Sequence, residues 1–227
     1  MLIGNRVALA CVATLAAVIG TQETLRNPGS ELTPALENVY VIATVIPPSR
    51  TPPKAIDTCF NSDSLPFVRL YLPAPKANSV GQVANRAVFT GYFVPEEMFG
   101  CTPHQDGTTV YLYLRARPFE SAFNEDAVKS DAKHNEVLFE NERVRVVRIH
   151  FEPGESGPMV DKRKRVIFAV TDSHATVTFP DRHSESRDVK AGAVSFADEG
   201  RQATKNTGTT PIENIVVELK SKESEKK

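Results

Sequence analysis

Short runs of apolar and β-branched residues, each about the length of one strand, recur along most of the chain. In the second half they are Arg143–Phe151, Val166–Val170, Ala175–Phe179, Ala193–Phe196 and Ile215–Leu219, and most are bounded by Gly, Pro, Asp or Asn. In the first half they are Val39–Ile46, Phe67–Leu72, Ala87–Val94 and Thr109–Leu114. No window beyond the amino-terminal apolar run keeps a helical period, so the pattern predicts an all-β sandwich or barrel. Ser121–His134 is polar and charged without alternation, and 119–134 reads as a linker. Twelve of the sixteen prolines precede residue 120, which separates the two halves in texture.

The halves nevertheless echo one another. Leu36-Glu37-Asn38, an apolar run, then Pro48 and Pro53 parallels Phe139-Glu140-Asn141, an apolar run, then Pro153 and Pro158, with the same gap inside each proline pair. The closing runs Thr109–Leu114 and Asn214–Leu219 also correspond. Self-similarity of this kind points to an internal repeat, with generic strand and turn composition as the alternative.

Met1–Gly20 has the layout of a secretory signal: Arg6, an apolar run from Val7 to Ile19, then small residues suited to a cut after Gly20. The run falls short of the roughly 20 apolar residues of a spanning helix, so no stable membrane insertion is expected after cleavage. Cys11 would leave with the signal. Cys59 and Cys101 remain, and an even pair in an exported chain reads as one structural disulfide, with two free thiols as the alternative. Such a bridge would stabilise by about 4 kcal/mol. The 27 Lys and Arg nearly balance the 28 Asp and Glu, so no basic field draws the chain to nucleic acid or anionic lipid. Residues 221–227 form a charged tail.

The stretch from Phe139 to Lys220 resembles the single-domain cupins of bacterial exported proteins. Their first motif is a glycine, five residues, His-x-His and a later Glu; the second is glycine, proline, glycine, His and Asn. Counted from Gly154, the first two ligand positions fall on Val160 and Lys162, and the Glu position near Val166 or Ile167. Gly192 and Gly200 stand in the second frame, with Asn206 one residue early. The last His position falls on Gln202 counting back from Asn206, or on Ala203 counting forward from Gly200. The resemblance implies an all-β fold, a cupin-type jelly-roll barrel (double-stranded β-helix), over 135–220. With the repeat, it implies a two-barrel (bicupin) chain whose first barrel, 30–118, is divergent and carries Pro52-Pro53-Lys54-Ala55 at its ligand region. The amino-terminal signal layout implies export, to a periplasmic or extracellular location.

Every metal-ligand position of the motif is replaced. Val160 has no lone pair and Lys162 is a cation, so no metal and no cofactor are expected. His104, His134, His150, His174 and His183 are scattered without a paired spacing. His150, at the end of its strand, either points into the barrel or is a half-exposed strand histidine; His174 reads as a turn residue, and His183 as part of a surface connection. The run Asp161–Arg165 reads as a solvated strand edge or loop, with an anion site as the alternative. Alternation from Val160 would turn Lys162 and Lys164 inward and Arg163 and Arg165 outward.

Lys162, Gln202 and Asn206 would then converge where the metal normally sits, and a small anionic ligand is the expected partner. No Gly-x-Ser-x-Gly elbow, phosphate-cradling loop or zinc-protease helix is present. The leading expectation is a metal-free binding or accessory module of the cell envelope. The alternatives are an enzyme, either a dioxygenase or isomerase with an atypical metal site or an acid-base epimerase using His150, and a structural or interaction domain. A homodimer is open to any of them.

Overall fold

A computed structural model describes residues 35–47, 65–73, 88–93, 107–115 and 126–220. The expected signal segment, Cys59, Cys101 with their disulfide, and the charged tail lie outside the described residues.

The first half contributes β1 (Leu36–Glu37), β2 (Val41–Ile46), β3 (Phe67–Pro73), β4 (Val88–Phe93) and β5 (Gly107–Leu114). After the one-turn helix α1 (Ala127–Ser130) come β6 (Asn135–Glu140), β7 (Val144–Phe151), β8 (Val160–Lys162), β9 (Arg165–Ala169) and β10 (Ser173–Thr178). The chain continues through β11 (Ser184–Val189), β12 (Val194–Ala197), β13 (Gly200–Asn206) and β14 (Ile212–Leu219). They form three antiparallel sheets, ordered β1-β2-β5-β3-β4, β6-β7-β14-β9-β12 and β11-β10-β13-β8. The last two are the walls of a jelly roll, the chain passing repeatedly from one sheet to the other.

The repeat seen in the sequence is a repeat of one sheet. The orders β1-β2-β5-β3-β4 and β6-β7-β14-β9-β12 correspond strand for strand. Each begins with the same turn: Asn38 Oδ1 accepts from the Tyr40 and Val41 amides at 2.8 and 2.9 Å, and Asn141 Oδ1 from the Arg143 and Val144 amides, both at 2.9 Å. The registers match as well, with Val41 opposite Leu114 and Ala43 opposite Leu112, as Val144 is opposite Leu219 and Val146 opposite Val217. Among the described residues the first half supplies this one sheet. The facing sheet that a second barrel requires would have to come from residues outside the described ones.

Alternation decides what each face does. Val41, Ala43, Val68, Leu70, Val110 and Leu112 on the first sheet and their counterparts Val144, Val146, Val166, Phe168, Ile215 and Val217 on the second are buried in one shared core. Full burial of such side chains contributes about 1.5–3 kcal/mol each before chain entropy is counted. Tyr40 of the first half stacks on Phe196 of β12 with centroids 6.0 Å apart, extending the contact to the sheet edge. The residues between, Arg145, Val147, Ile149 and Phe151 on β7, face the interior of the jelly roll.

The described part of the expected linker is structured rather than open. Asp126 caps α1 by accepting from the Val128 amide at 3.1 Å, and Asp131 and His134 are buried, bonded Oδ1 to Nδ1 at 2.6 Å. Gly157 permits that packing, since a Cβ there would stand 2.8 Å from Asp131 Oδ2. The apolar pattern did not predict β6, β8, β11 and β13. Ser184–Val189 and Gly200–Asn206 carry almost no apolar residues because both strands are largely solvent-facing, and strand pairing defines them, the first against β10 and the second against β10 and β8.

All five tyrosines precede residue 120 and the chain has no tryptophan, so tyrosine fluorescence reports the first half alone. A shared core requires tyrosine fluorescence and far-ultraviolet circular dichroism to give one coincident denaturant transition. Leu112→Ala should lower the stability read by both probes by about 2–5 kcal/mol. Two separated transitions, or a loss confined to the tyrosine probe, would contradict it.

Candidate functional site

The interior face of β7, β14 and β9 is arranged in rows by register. One end row is Arg145, Glu218 and Arg165, directly opposite one another across the three strands. The next is Val147, Val216 and Ile167, and the third Ile149, Asn214 and Ala169. Phe151 and Ile212 close the series. The corresponding end row of the first sheet is Ile42, Tyr113 and Phe67, with the two rings 5.5 Å apart. The same five-stranded frame is therefore built once with an aromatic end row and once with a charged one.

A cavity of about 120 Å³ lies within the barrel. Lys162 of β8, Arg165, Arg187 and Gln202 supply its polar wall, and Ile149, Phe151, Ile167, Val177, Ile212 and Val216 much of the rest. Lys162 is 9 % exposed and Arg165 5 %. Arg165 donates to the Arg163 and Asp198 carbonyls at 3.0 and 3.1 Å and to Gln202 Oε1 at 3.3 Å, all neutral acceptors. Arg145, by contrast, is held by Asp126 at 2.6 Å and Glu140 at 3.0 Å, with Glu218 at 3.8 Å. Among the described residues no carboxylate lies within ion-pairing distance of Lys162 or Arg165.

Burial pushes the Lys162 ammonium below its ordinary pKa of 10.5, the Arg165 charge adding to the effect while Glu218 and Asp131 oppose it. Burial likewise brings the Arg165 guanidinium to about 10, so it stays charged at neutral pH. Glu218 is raised above the usual carboxylate range by burial, although Arg145, Arg163, Lys162 and Arg165 all pull it down.

Lys162 and Gln202, two residues singled out in the sequence, thus meet at the cavity. Asn206 does not line it. It shares the inward face of β13 with Gln202 but sits four residues on, about 13 Å along the strand at ~3.3 Å per residue. There its Nδ2 donates to the Phe151 and Thr210 carbonyls at 3.0 and 2.9 Å and its Oδ1 accepts from the Gly208 amide at 2.9 Å. It is a fully buried structural staple rather than a ligand contact.

His150 is also outside the cavity. Alternation puts it on the opposite face from Ile149 and Phe151, half exposed and 3.1 Å from Glu152. His174 begins a strand rather than a turn, with Asp188 opposite it and bonded at 2.6 Å. The basic run is not a solvated edge: Asp161, Lys162 and Arg165 are buried.

Simple alternation gives the wrong inward positions after Lys162, because the chain leaves one sheet at Arg163–Lys164 and enters the other at Arg165. Lys164 consequently lies outside the barrel, bonded to Asp198 at 2.7 Å and 5.4 Å from the Tyr40 ring centroid. The motif frame does not single out Arg145, Asn214 or Glu218, and it turns Arg165 outward. The signal available for them is a polar residue interrupting an otherwise apolar strand, as in Val144-Arg145-Val146 or Val217-Glu218-Leu219.

These side chains do not fit a metal. A first-row cation placed between Val160, Lys162 and Gln202 would meet one neutral oxygen, already accepting from Arg165, and two fixed positive charges.

The buried ammonium carries a stability cost that an apolar side chain of similar volume lacks. Lys162→Met should raise stability at neutral pH by about 1–3 kcal/mol in urea denaturation. With its folded pKa below 10.5, native Lys162 releases its proton before the unfolded chain does, so the native protein gains stability as pH rises through that window. The advantage of the variant should therefore shrink toward about pH 10. A Lys162→Met protein that is less stable at both pH values would show Lys162 to be a stabilising element.

No protein-family model matches the chain, and no curated protein matches it. Among solved structures it is similar to a cupin-domain protein from Bordetella pertussis Tohama I, at 22% identity and a TM-score of 0.36 over 38% of this chain and 92% of that one. It is also similar to an RmlC-like cupin-family protein with a double-stranded β-helix fold from Methanocaldococcus jannaschii, at 22% and 0.32 over 38% and 78%. A third is a predicted oxalate decarboxylase from Thermotoga maritima, at 21% and 0.27 over 34% and 67%. The facing sheets β6-β7-β14-β9-β12 and β11-β10-β13-β8 have the jelly-roll connectivity in their own right. Residues 135–219 form an all-β jelly-roll barrel, a double-stranded β-helix of two facing antiparallel sheets.

Proposed function

We propose that the second half of this chain is a metal-free cupin that binds a small carboxylate-bearing molecule inside its barrel, as a binding or accessory module of an exported protein. The observation that carries this reading is the pair Lys162 and Arg165. Both are buried, both border the cavity, and neither has a carboxylate within ion-pairing distance among the described residues. A buried cation without an ion-pair partner carries a desolvation cost, which an incoming anion would offset. The aromatic counterpart row in the first sheet supports it further, because the frame is built there without charge.

The cavity sets the class of ligand. At about 120 Å³ it is well below the roughly 300–1,000 Å³ of sites for larger ligands, so the acid is small. Its polar wall holds the carboxylate at Lys162 and Arg165, with Gln202 fixing the guanidinium, and its apolar wall takes a short carbon chain. Arg187, partly exposed, also lines the cavity and is ion-paired with Glu185 at 2.9 Å. Export rests on the order Arg6, apolar run and small residues at the amino terminus.

Isothermal calorimetry with formate, acetate, propionate and butyrate tests the reading. At least one should bind the native protein and bind Lys162→Met and Arg165→Met about tenfold to a hundredfold more weakly, the loss of one or two charge-assisted hydrogen bonds. Equal and negligible heats for native and variant proteins would sink it.

A further inference from the structure

The carboxylate end of the cavity leaves a second polar group in the barrel unexplained. Asn214 lines the cavity two rows away from Arg165 and Glu218, flanked across its strands by Ile149 and Ala169. Its Oδ1 is buried and has no hydrogen-bond partner. Of the buried unpartnered side-chain atoms among the described residues, this is the one whose residue borders the cavity. A buried amide oxygen left unpaired is costly, and the surrounding Ile149, Ile212 and Val216 offer it no donor.

Alanine at position 169, buried on the neighbouring strand, keeps the flank of Asn214 small where the other rows carry Ile167 or Arg165. The carboxamide can present either its oxygen as acceptor or its nitrogen as donor. A hydroxyl satisfies both presentations, since it donates and accepts. A second carboxylate would instead place negative charge in an apolar recess without a cation.

We infer that Asn214 reads a hydroxyl on the bound acid, so the ligand is a short hydroxycarboxylate with its carboxylate at Lys162 and Arg165 and its hydroxyl toward Asn214. This deepens the carboxylate reading and rests on it. The two rows span about 13 Å at ~3.3 Å per residue. Lys162 and Arg165 at one end and Asn214 at the other border the same cavity, and the span between them favours an acid whose hydroxyl lies at the far end of the chain.

Calorimetry of matched pairs separates the two levels: butyrate against γ-hydroxybutyrate, and valerate against δ-hydroxyvalerate, on the native protein and on Asn214→Leu. On the native protein the hydroxy acid of at least one pair should bind at least fivefold more tightly than its plain partner, and Asn214→Leu should abolish that preference while still binding the plain acid. If plain and hydroxy acids bind the native protein equally, or the preference survives in Asn214→Leu, the role of Asn214 is overturned and the carboxylate site stands. If no acid of either kind binds, both fall. Circular dichroism of Asn214→Leu guards against misfolding, and Asn214→Asp, whose carboxylate faces the same recess, should bind both members of each pair more weakly than the native protein does.

Discussion

The structure depends on one apolar contact, the burial of two equivalent sheet faces in a shared core. Val41, Ala43, Val68 and Leu70 face that core from one side and Val144, Val146, Val166 and Phe168 from the other, each set occupying matching register positions. Period-two alternation means that residues committed to this contact alternate with residues that are not. The second sheet meets its burial requirement on its outer face. Its inner face can therefore carry Arg145, Glu218, Arg165 and Asn214 without leaving the sheet short of apolar packing.

The internal repeat shows which features the frame requires. Both sheets keep the Asn turn, the strand order and the outer apolar face. They differ on the inner face, where Ile42, Tyr113 and Phe67 in one copy stand for Arg145, Glu218 and Arg165 in the other. Ring packing in the first copy stabilises directly, with Phe67 also 5.8 Å from Tyr111. Charges in the second bring desolvation costs that only partners can offset. Arg145 has its partners in Asp126 and Glu140; Lys162 and Arg165 have a cavity.

The apolar strands of both halves were legible from pattern, because β2, β3, β5, β7, β9 and β14 are central strands or carry buried faces. So was the repeat, through Leu36-Glu37-Asn38 and Phe139-Glu140-Asn141, whose asparagines make the same turn. Polar strands such as Ser184–Val189 were not, since pairing rather than burial defines them. Within the site, Lys162 and Gln202 followed from the motif frame. Arg165 did not, because a sheet change two residues earlier inverts the face that simple alternation assigns it. Asn206 shared the right face but the wrong end of the barrel, a distinction that alternation does not contain. Glu218 and Asn214 show in the sequence only as polar interruptions of an apolar run, and their place on the inner face follows from β14 lying between β7 and β9.

The ionisation of Lys162 is the most direct probe of the barrel interior. NMR titration of labelled lysine side chains, with and without saturating butyrate, reads the ammonium itself. Without acid its midpoint should lie below 10.5, and bound carboxylate should move it upward, because an anion that favours the charged lysine must by linkage be favoured by it. A midpoint at the ordinary lysine value that does not move when the acid is added would contradict a buried cation awaiting an anion.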